Sequence, residues 1–416
     1  MADNARCDLR PPAARLPGMY WLLVGGFAFA RSGAVAIPFL SLYLVTHLHH
    51  SPSEAAHVSA AFGAGWLTGP LIAGMLTDRI GRRATLQIAL LSTAGACLVL
   101  GQARSLTALG AAAFAVGFFF DAPRPAVTAL ITDMLPSALR ARGFGRLYWA
   151  MNAGAGIAAG IGSLLADSHF TYLFLVDAAA NMIFALVMFA FRAPAGVTAE
   201  DSKPTTNRRT LTAMLRDRTF IALCGITLAW LMVYQQMLFG LPLAMSHDGL
   251  PASAYGIISL INAALVLVLQ PCLQPAIDRS SPATACMWGA LLTGAGMGAH
   301  MLTDHTLGYA AAAAIWTAGE VLFFGAAMTS VAELAPAHAR GRYAGVWSCT
   351  LGLSALAAPQ LAALAMKISN LTVLWATCAL LGAAAAAACT ALRPDIDARR
   401  PSAEPAPTPD TAPVAA

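Results

Sequence analysis

Residues 74–83 read Gly74-Met-Leu76-Thr-Asp78-Arg79-Ile-Gly81-Arg82-Arg83, a polar turn between two long apolar runs. Cations beside the ends of apolar helices stay on the cytoplasmic face of a bilayer, so Arg79, Arg82 and Arg83 fix the side on which this turn lies. Gly74 is expected to allow close helix approach, Gly81 to supply the tight turn, and the cationic cluster to hold the loop at the headgroups. Asp78 is the one acid in the stretch.

The runs on either side set the scale of the molecule. The chain is 58% hydrophobic and 11% charged, against about 25% charged in soluble proteins, so most of its surface faces lipid. Apolar segments near the roughly 20 residues a spanning helix needs recur along the whole sequence. The expected spans are 18–46, 54–75, 84–101, 107–134, 145–166 and 171–192, then 218–246, 253–275, 283–302, 306–332, 343–366 and 371–392. An all-α membrane protein of twelve helices follows. The first run contains Arg31 and exceeds the apolar core of a signal peptide, so it reads as a retained helix.

Charge orients the bundle. With both termini cytoplasmic, all but four of the 25 Lys and Arg lie in cytoplasmic segments; Arg104 and Lys367 are external, and Arg31 and Arg124 fall inside spans. The net charge of +5 is spread over loops and tails and forms no nucleic-acid face. Seven cysteines lie in spans and Cys7 in the N-terminal tail, so no external disulfide is expected. Eight of the nine histidines, among them His47, His49 and His50, lie toward the external side, where they read as a polar loop.

The stretch 193–217 is the longest polar interval within the chain and reads as a linker. Residues 1–17 and 393–416 read as cytoplasmic, disordered tails, with six-helix bundles at 18–192 and 218–392. A shift of 200 residues sets Asp78-Arg79 on Asp278-Arg279. The same shift sets 131–147 on 331–347 without gaps, pairing Pro136 with Pro336, Arg140 with Arg340, Arg142 with Arg342 and Gly145 with Gly345. Two segments in one register indicate duplicated halves.

The 74–83 stretch resembles, at every defined position, the G-x-L-x-D-R-x-G-R-[RK] loop signature of the major facilitator superfamily. Arg31-Ser-Gly33, Pro38-Phe39-Leu40, Phe120-Asp121-Ala-Pro123-Arg124 and Gly319-Glu320 are similar to its bacterial drug-efflux-like, drug:proton antiporter branch. The resemblance implies two pseudo-symmetric bundles alternately opening a central cavity lined by helices 1, 4, 7 and 10. It also implies that Asp78 latches onto the start of helix eleven when the cytoplasmic side closes, with Gly74, Arg79, Gly81, Arg82 and Arg83 shaping the loop. Asp278 and Arg279 would form a weaker second latch. One departure stands out: Asn152-Ala-Gly154-Ala-Gly156-Ile-Ala-Ala-Gly160-Ile-Gly162 keeps the glycines of the antiporter motif in helix five and lacks its proline. Transport is therefore implied more firmly than antiport.

A charge near the bilayer centre costs roughly 2.5–3.5 kcal/mol on insertion scales and needs a cavity, a partner or a function. Arg31, Asp121, Arg124 and Glu320 stand at that depth, with Gln235 and Gln236 adding polarity to helix seven. Asp121 and Arg124 are spaced i,i+3 and read as an ion pair, structural or functional. Glu320 has no cation beside it in sequence and is the first candidate for proton carrier, Asp121 the second; Asp177 reads as structural. Tyr43, Trp149, Asn152, Tyr234, Asn262 and Phe324 read mainly as packing.

No lysine follows a glycine, so no phosphate-binding loop is present for an ATP-driven pump. The spans carry neither a nucleophile with its base nor a metal cluster, so no enzyme, cofactor or metal is expected. The reading is a monomeric, proton-coupled exporter of hydrophobic small molecules in the inner membrane, with proton-coupled uptake of a small metabolite as the alternative. Asp78→Asn is expected to insert normally and lower turnover, and unchanged transport in reconstituted vesicles would refute the latch.

Overall fold

The computed structural model describes residues 16–166, 169–190, 214, 216–336, 340–368 and 371–399. The expected N-terminal tail and the 193–217 linker lie almost wholly outside these residues, but the expected disordered C-terminal tail begins too early: the helix starting at Leu371 runs on to Asp397, and only 400–416 lie outside. Each of the twelve expected spans coincides with a helix or a broken helix. The first half contains α1 (Gly18–Ser32, resuming over Leu40–Leu42 and Tyr43–His47), α2 (Pro52–Ile80), α3 (Arg82–Gln102), α4 (Leu106–Phe120 and Pro123–Met134), α5 (Ser137–Leu165) and α6 (Phe170–Ala190). The second contains α7 (Arg218–Tyr234, Gln235–Met237 and Gly240–His247), α8 (Ala252–Arg279), α9 (Pro282–Ala299 with His300–Leu302), α10 (Thr306–Leu334), α11 (Arg340–Lys367) and α12 (Leu371–Asp397).

Among the described residues, nine helices are long and apolar enough to cross a membrane. The three expected spans beyond those nine have visible reasons. The first is interrupted, α5 begins on Arg140, Arg142 and Arg146, and α9 is short and glycine-rich. Large side chains such as Val99, Leu186, Phe189, Val268 and Leu380 stand exposed, as a lipid-facing coat requires.

The boundaries follow local chemistry. Ser51 caps α2 by accepting from the Glu54 N–H, while Glu54 accepts from the Ser51 N–H at 2.8 Å, a reciprocal capping box. Gly81 joins α2 to α3 at φ 89°, a backbone conformation that favours glycine. Pro38 and Pro123 coincide with the interruptions of α1 and α4, where a missing N–H breaks the hydrogen-bond ladder.

Three apolar cores stay within one half. Tyr20, Phe27, Leu86 and Phe184 belong to one in the first half, Tyr43, Phe62 and Phe174 to another, and Phe220, Trp230, Phe323 and Trp347 to one in the second. A further core crosses between halves, bringing Val35, Phe39 and Ala158 against Leu241, Tyr255, Ile258 and Ala362. It lies at the end carrying His47, His247 and His305, called here the histidine end; the opposite, basic end carries Arg79, Arg82, Arg83 and Arg279.

Contacts of α2 with α11, and of α5 with α8, close the histidine end. Gly63 abuts the backbone of Ala355, Gly352 abuts Leu67, and the Gln360 amide donates to the Ala56 carbonyl at 3.2 Å. The Ser163 hydroxyl donates to the Ser253 carbonyl at 2.9 Å, and Gly256 abuts Ser163. Gly74 departs from expectation: a Cβ there would meet nothing within 4 Å, so it makes no close approach in this conformation.

The basic loop is also better anchored than headgroup attraction alone implies. Arg82 pairs with Asp133 on α4, and the Arg83 guanidinium donates to the Phe189 carbonyl at the end of α6. The side chains of Asp78, Asp278, Arg340 and Arg342 lie outside the described residues.

At the basic end of the second half, Asp217 caps α7 by accepting from the Phe220 N–H. It also accepts from Arg399 at 2.7 Å and from the Tyr343 hydroxyl at 3.3 Å. Partial burial opposes its charge, but hydrogen bonds from Arg399 and Phe220 outweigh this and hold the carboxyl below its ordinary range. A folded value below the unfolded one, about 3.9, stabilises the fold at neutral pH and loses that effect as pH falls through the folded value. Asp217→Asn should therefore cost about 1 kcal/mol near neutrality, and the difference from wild type should vanish in acid. Thermal unfolding across a pH series checks this.

Candidate functional site

Arg31 ends the first segment of α1 and Asp121 occupies the interruption of α4, so two backbone breaks bring them together. The Arg31 Nη2 donates to Asp121 Oδ1 at 2.7 Å, and Arg124 Nε donates to the same oxygen at 3.0 Å. One carboxylate thus holds two guanidinium groups. The position suits an anion, because Asp121 lies beside the N-terminus of the Pro123–Met134 segment, the positive end of its dipole. The Arg31 guanidinium also lies over the rings of Phe120 and Phe27, 4.6 and 5.2 Å from their centroids.

Glycine decides how near α5 comes. A Cβ on Gly154 would lie 2.6 Å from the Ala28 carbonyl oxygen and 3.1 Å from the Arg31 Cβ. Gly154 and Gly162 are therefore packing surface for the first helix and for Phe39 at its interruption, Gly156 serves α8 in the same way through Ala263, and Gly160 makes no close approach.

Asp121 and Arg124 line a cavity of about 440 Å³ between α2, α4 and α11, together with Trp66, Ser348, Cys349 and Gly352. The Arg124 side chain is 45% exposed into this space, whereas Arg31 is 13% exposed behind it. The ion pair expected between Asp121 and Arg124 exists, and Arg31 completes it.

Asp177 proves closer to this network than its place on α6 implies. It is buried, accepts from the Asn181 amide at 3.0 Å, and interacts electrostatically with Arg31. Arg31, Asp177, Asn181 and Thr93 share a small void of about 20 Å³. A lone mid-depth aspartate was the available signal; its neighbours on α1 and α3 are apparent only in three dimensions.

Glu320 sits in the opposite half. Its Oε1 accepts from the Tyr234 hydroxyl at 2.8 Å and its Oε2 from the Asn262 amide at 2.9 Å. Asn262 also donates to the Thr317 hydroxyl, so the carboxyl is held by α7, α8 and α10. Among the described residues it makes no salt bridge. Tyr234 stacks on Trp230, and Phe324 meets both rings edge-on. Tyr234 and Asn262 thus hold Glu320 as well as packing, while Phe324 packs on the aromatic core as expected.

The cavity lining does not include Glu320. Tyr148 on α5 stands near enough to both Glu320 and Arg124 for each charge to act on its hydroxyl. Gln236 is buried, and its amide donates to the Ala358 carbonyl of α11 at 3.0 Å, so it secures a helix contact. Gln235 is buried likewise. Tyr43 packs against Phe170 and Phe174 near the histidine end.

Both halves thus carry interrupted helices and charged side chains at mid-depth. The model of the Major Facilitator Superfamily matches residues 22–359 and 237–415. The chain belongs to that family. It is 25% identical over 330 residues to the uncharacterized MFS-type transporter YttB of Bacillus subtilis, covering 78% of this chain and 82% of the relative. It is 27% identical over 345 residues to the multidrug resistance protein MdtH of Edwardsiella ictaluri, covering 80% and 82%. A solved POT family transporter, in complex with a thioalcohol-conjugated peptide, superposes with a TM-score of 0.77 at 16% identity, covering 91% of this chain and 96% of that one. That likeness concerns the fold.

Asp121→Asn should leave the mostly buried Arg31 without its carboxylate and cost about 3 kcal/mol, whereas Arg124→Gln, at a half-exposed position, should cost under about 1 kcal/mol. Thermal unfolding of the purified protein ranks the two, and equal losses would contradict the shared-carboxylate arrangement.

Proposed function

We propose that this transporter exports a hydrophobic small molecule in exchange for protons by alternating access, as a monomer in the bacterial inner membrane with both termini cytoplasmic. The observation that carries the reading is Glu320, a mid-depth carboxyl held by the neutral donors Tyr234 and Asn262.

With the basic end cytoplasmic, the chamber in this conformation opens inward and the histidine end is shut. A proton on Glu320 turns an ionised acceptor into a neutral one and weakens its hold on Tyr234 and Asn262. Those two residues belong to α7 and α8, so the proton state biases how the second half packs. Substrate enters the space beside Trp66 and Arg124, where an aromatic and apolar wall meets few fixed charges. The 74–83 loop then latches the basic end through Asp78 while the histidine end opens. Similarity to a relative named for multidrug resistance supports the export direction.

Glu320→Gln should abolish proton-driven accumulation while sparing substrate exchange down its own gradient. Everted vesicles test both points: export acidifies or alkalinises the lumen in the sense opposite to uptake, and full pH-gradient coupling in the mutant would overturn the assignment.

A further inference from the structure

The histidine end of the second half carries a bowl of about 350 Å³ among the ends of α7, α9, α10 and α12. Asp248, His300, Tyr309 and Trp375 form its wall, and Asp304 stands on the rim. The bowl lies apart from the chamber and takes no part in the exchange described above.

His300 is 2% exposed, and neither ring nitrogen has a hydrogen-bond partner among the described residues. It stacks on Tyr309 and tilts against Trp375, each at 5.0 Å between centroids. A neutral imidazole carries one acceptor nitrogen, and leaving it unpaired in a buried wall is unfavourable. Beside it, Asp248 Oδ2 accepts from the Tyr309 hydroxyl at 2.6 Å, and Oδ1 faces His247 at 3.5 Å.

The duplication supplies the comparison. α4 begins at Leu106 and α10 at Thr306, again a shift of 200, which sets Asp304 on Arg104, His300 on Leu100 and Tyr309 on Leu109. In the first half the Arg104 Nη1 donates to the Tyr43 hydroxyl at 3.2 Å and to the Gly101 and Ala103 carbonyls at 3.2 and 3.0 Å. Leu100 and Leu109 are fully buried beneath it. That half finishes its end with a cation of its own; the second half has acids there, with a histidine acceptor where the first has leucine.

We propose that the bowl binds a primary ammonium ion. Its three N–H donors match the Asp248 carboxylate, which the Tyr309 hydroxyl holds in place, and the His300 acceptor. A metal fits less well, since no three His, Cys, Asp or Glu side chains converge for one among the described residues. A quaternary ammonium has no N–H to give His300. The ammonium can come from a soluble amine or from a phosphatidylethanolamine headgroup.

The test titrates n-butylammonium into the purified full-length protein in detergent, followed by calorimetry. Saturable binding is expected, with tetramethylammonium weaker by roughly tenfold or more for want of the hydrogen bonds. Asp248→Asn should weaken binding by a similar factor. Asp304→Arg, at a rim side chain that is 88% exposed, should restore the first half's arrangement and abolish binding without lowering the melting temperature. His300→Phe should remove the preference for primary over quaternary ions. Nanodiscs of phosphatidylethanolamine and of phosphatidylglycerol separate the sources: suppression only in the former assigns the headgroup, and equal affinity in both assigns a soluble amine. Absence of saturable binding, equal affinity for tetramethylammonium, or binding unaltered by both aspartate substitutions would overturn the proposal, whatever the fate of the transport assays.

Discussion

A guanidinium at mid-depth in a bilayer has no water to fall back on, and this structure places two of them on one oxygen of Asp121. Ion pairs out of water are favourable only when geometry and further hydrogen bonds compensate their desolvation. Much of the first half serves that requirement. α1 and α4 are interrupted at the depth where the pair forms, Gly154 lets α5 approach behind Arg31, and the Phe27 and Phe120 rings cover the guanidinium. Irregular backbone at this depth is tolerable because it is buried in protein or faces the chamber, away from lipid.

The two halves share a duplicated frame and divide the charge between them. The shift that sets α4 on α10 places Phe120, which covers Arg31, at the position of Glu320. In one half that position shields a cation; in the other it is an acid gripped by three helices. The pseudo-symmetry thus supplies equivalent sites, and divergence has given one half a carboxylate paired with two guanidinium groups and the other a carboxyl held by neutral donors. The same divergence recurs at the histidine end, where Arg104 faces the place of Asp304.

How much of this was legible beforehand depended on the range of the interaction concerned. Hydrocarbon-length runs and Arg-bearing turns are local, and every expected span corresponds to a helix. Proline marks the breaks in α1 and α4, but α7 also breaks near Leu238–Phe239, with Pro242 lying beyond the interruption. The i,i+3 spacing of Asp121 and Arg124 announced their pairing, and depth alone singled out Arg31 and Glu320. Spacing could not place Asp177 beside Arg31, Asn262 and Tyr234 around Glu320, or Arg82 on Asp133, because each pair joins different helices. The partner of Gln236 was hidden for a related reason: polarity at mid-depth does not say that the amide meets a carbonyl of α11.

The closures at the two ends differ in kind, and the difference bears on how such a molecule can have two states. At the histidine end, glycines and small residues bring backbones into contact, with the Gln360 and Ser163 hydrogen bonds as polar ties between α2 and α11 and between α5 and α8. In lipid, apolar helices gain little from one another beyond close packing, because the acyl chains are equally apolar. Such a contact is specific in shape yet modest in energy. The basic end relies instead on charge, since Arg82 and Arg83 already clamp the ends of α3, α4 and α6 into one unit. The charged ties at the basic end hold α3, α4 and α6 of one half together, whereas the small-residue seam at the histidine end is where the two halves meet.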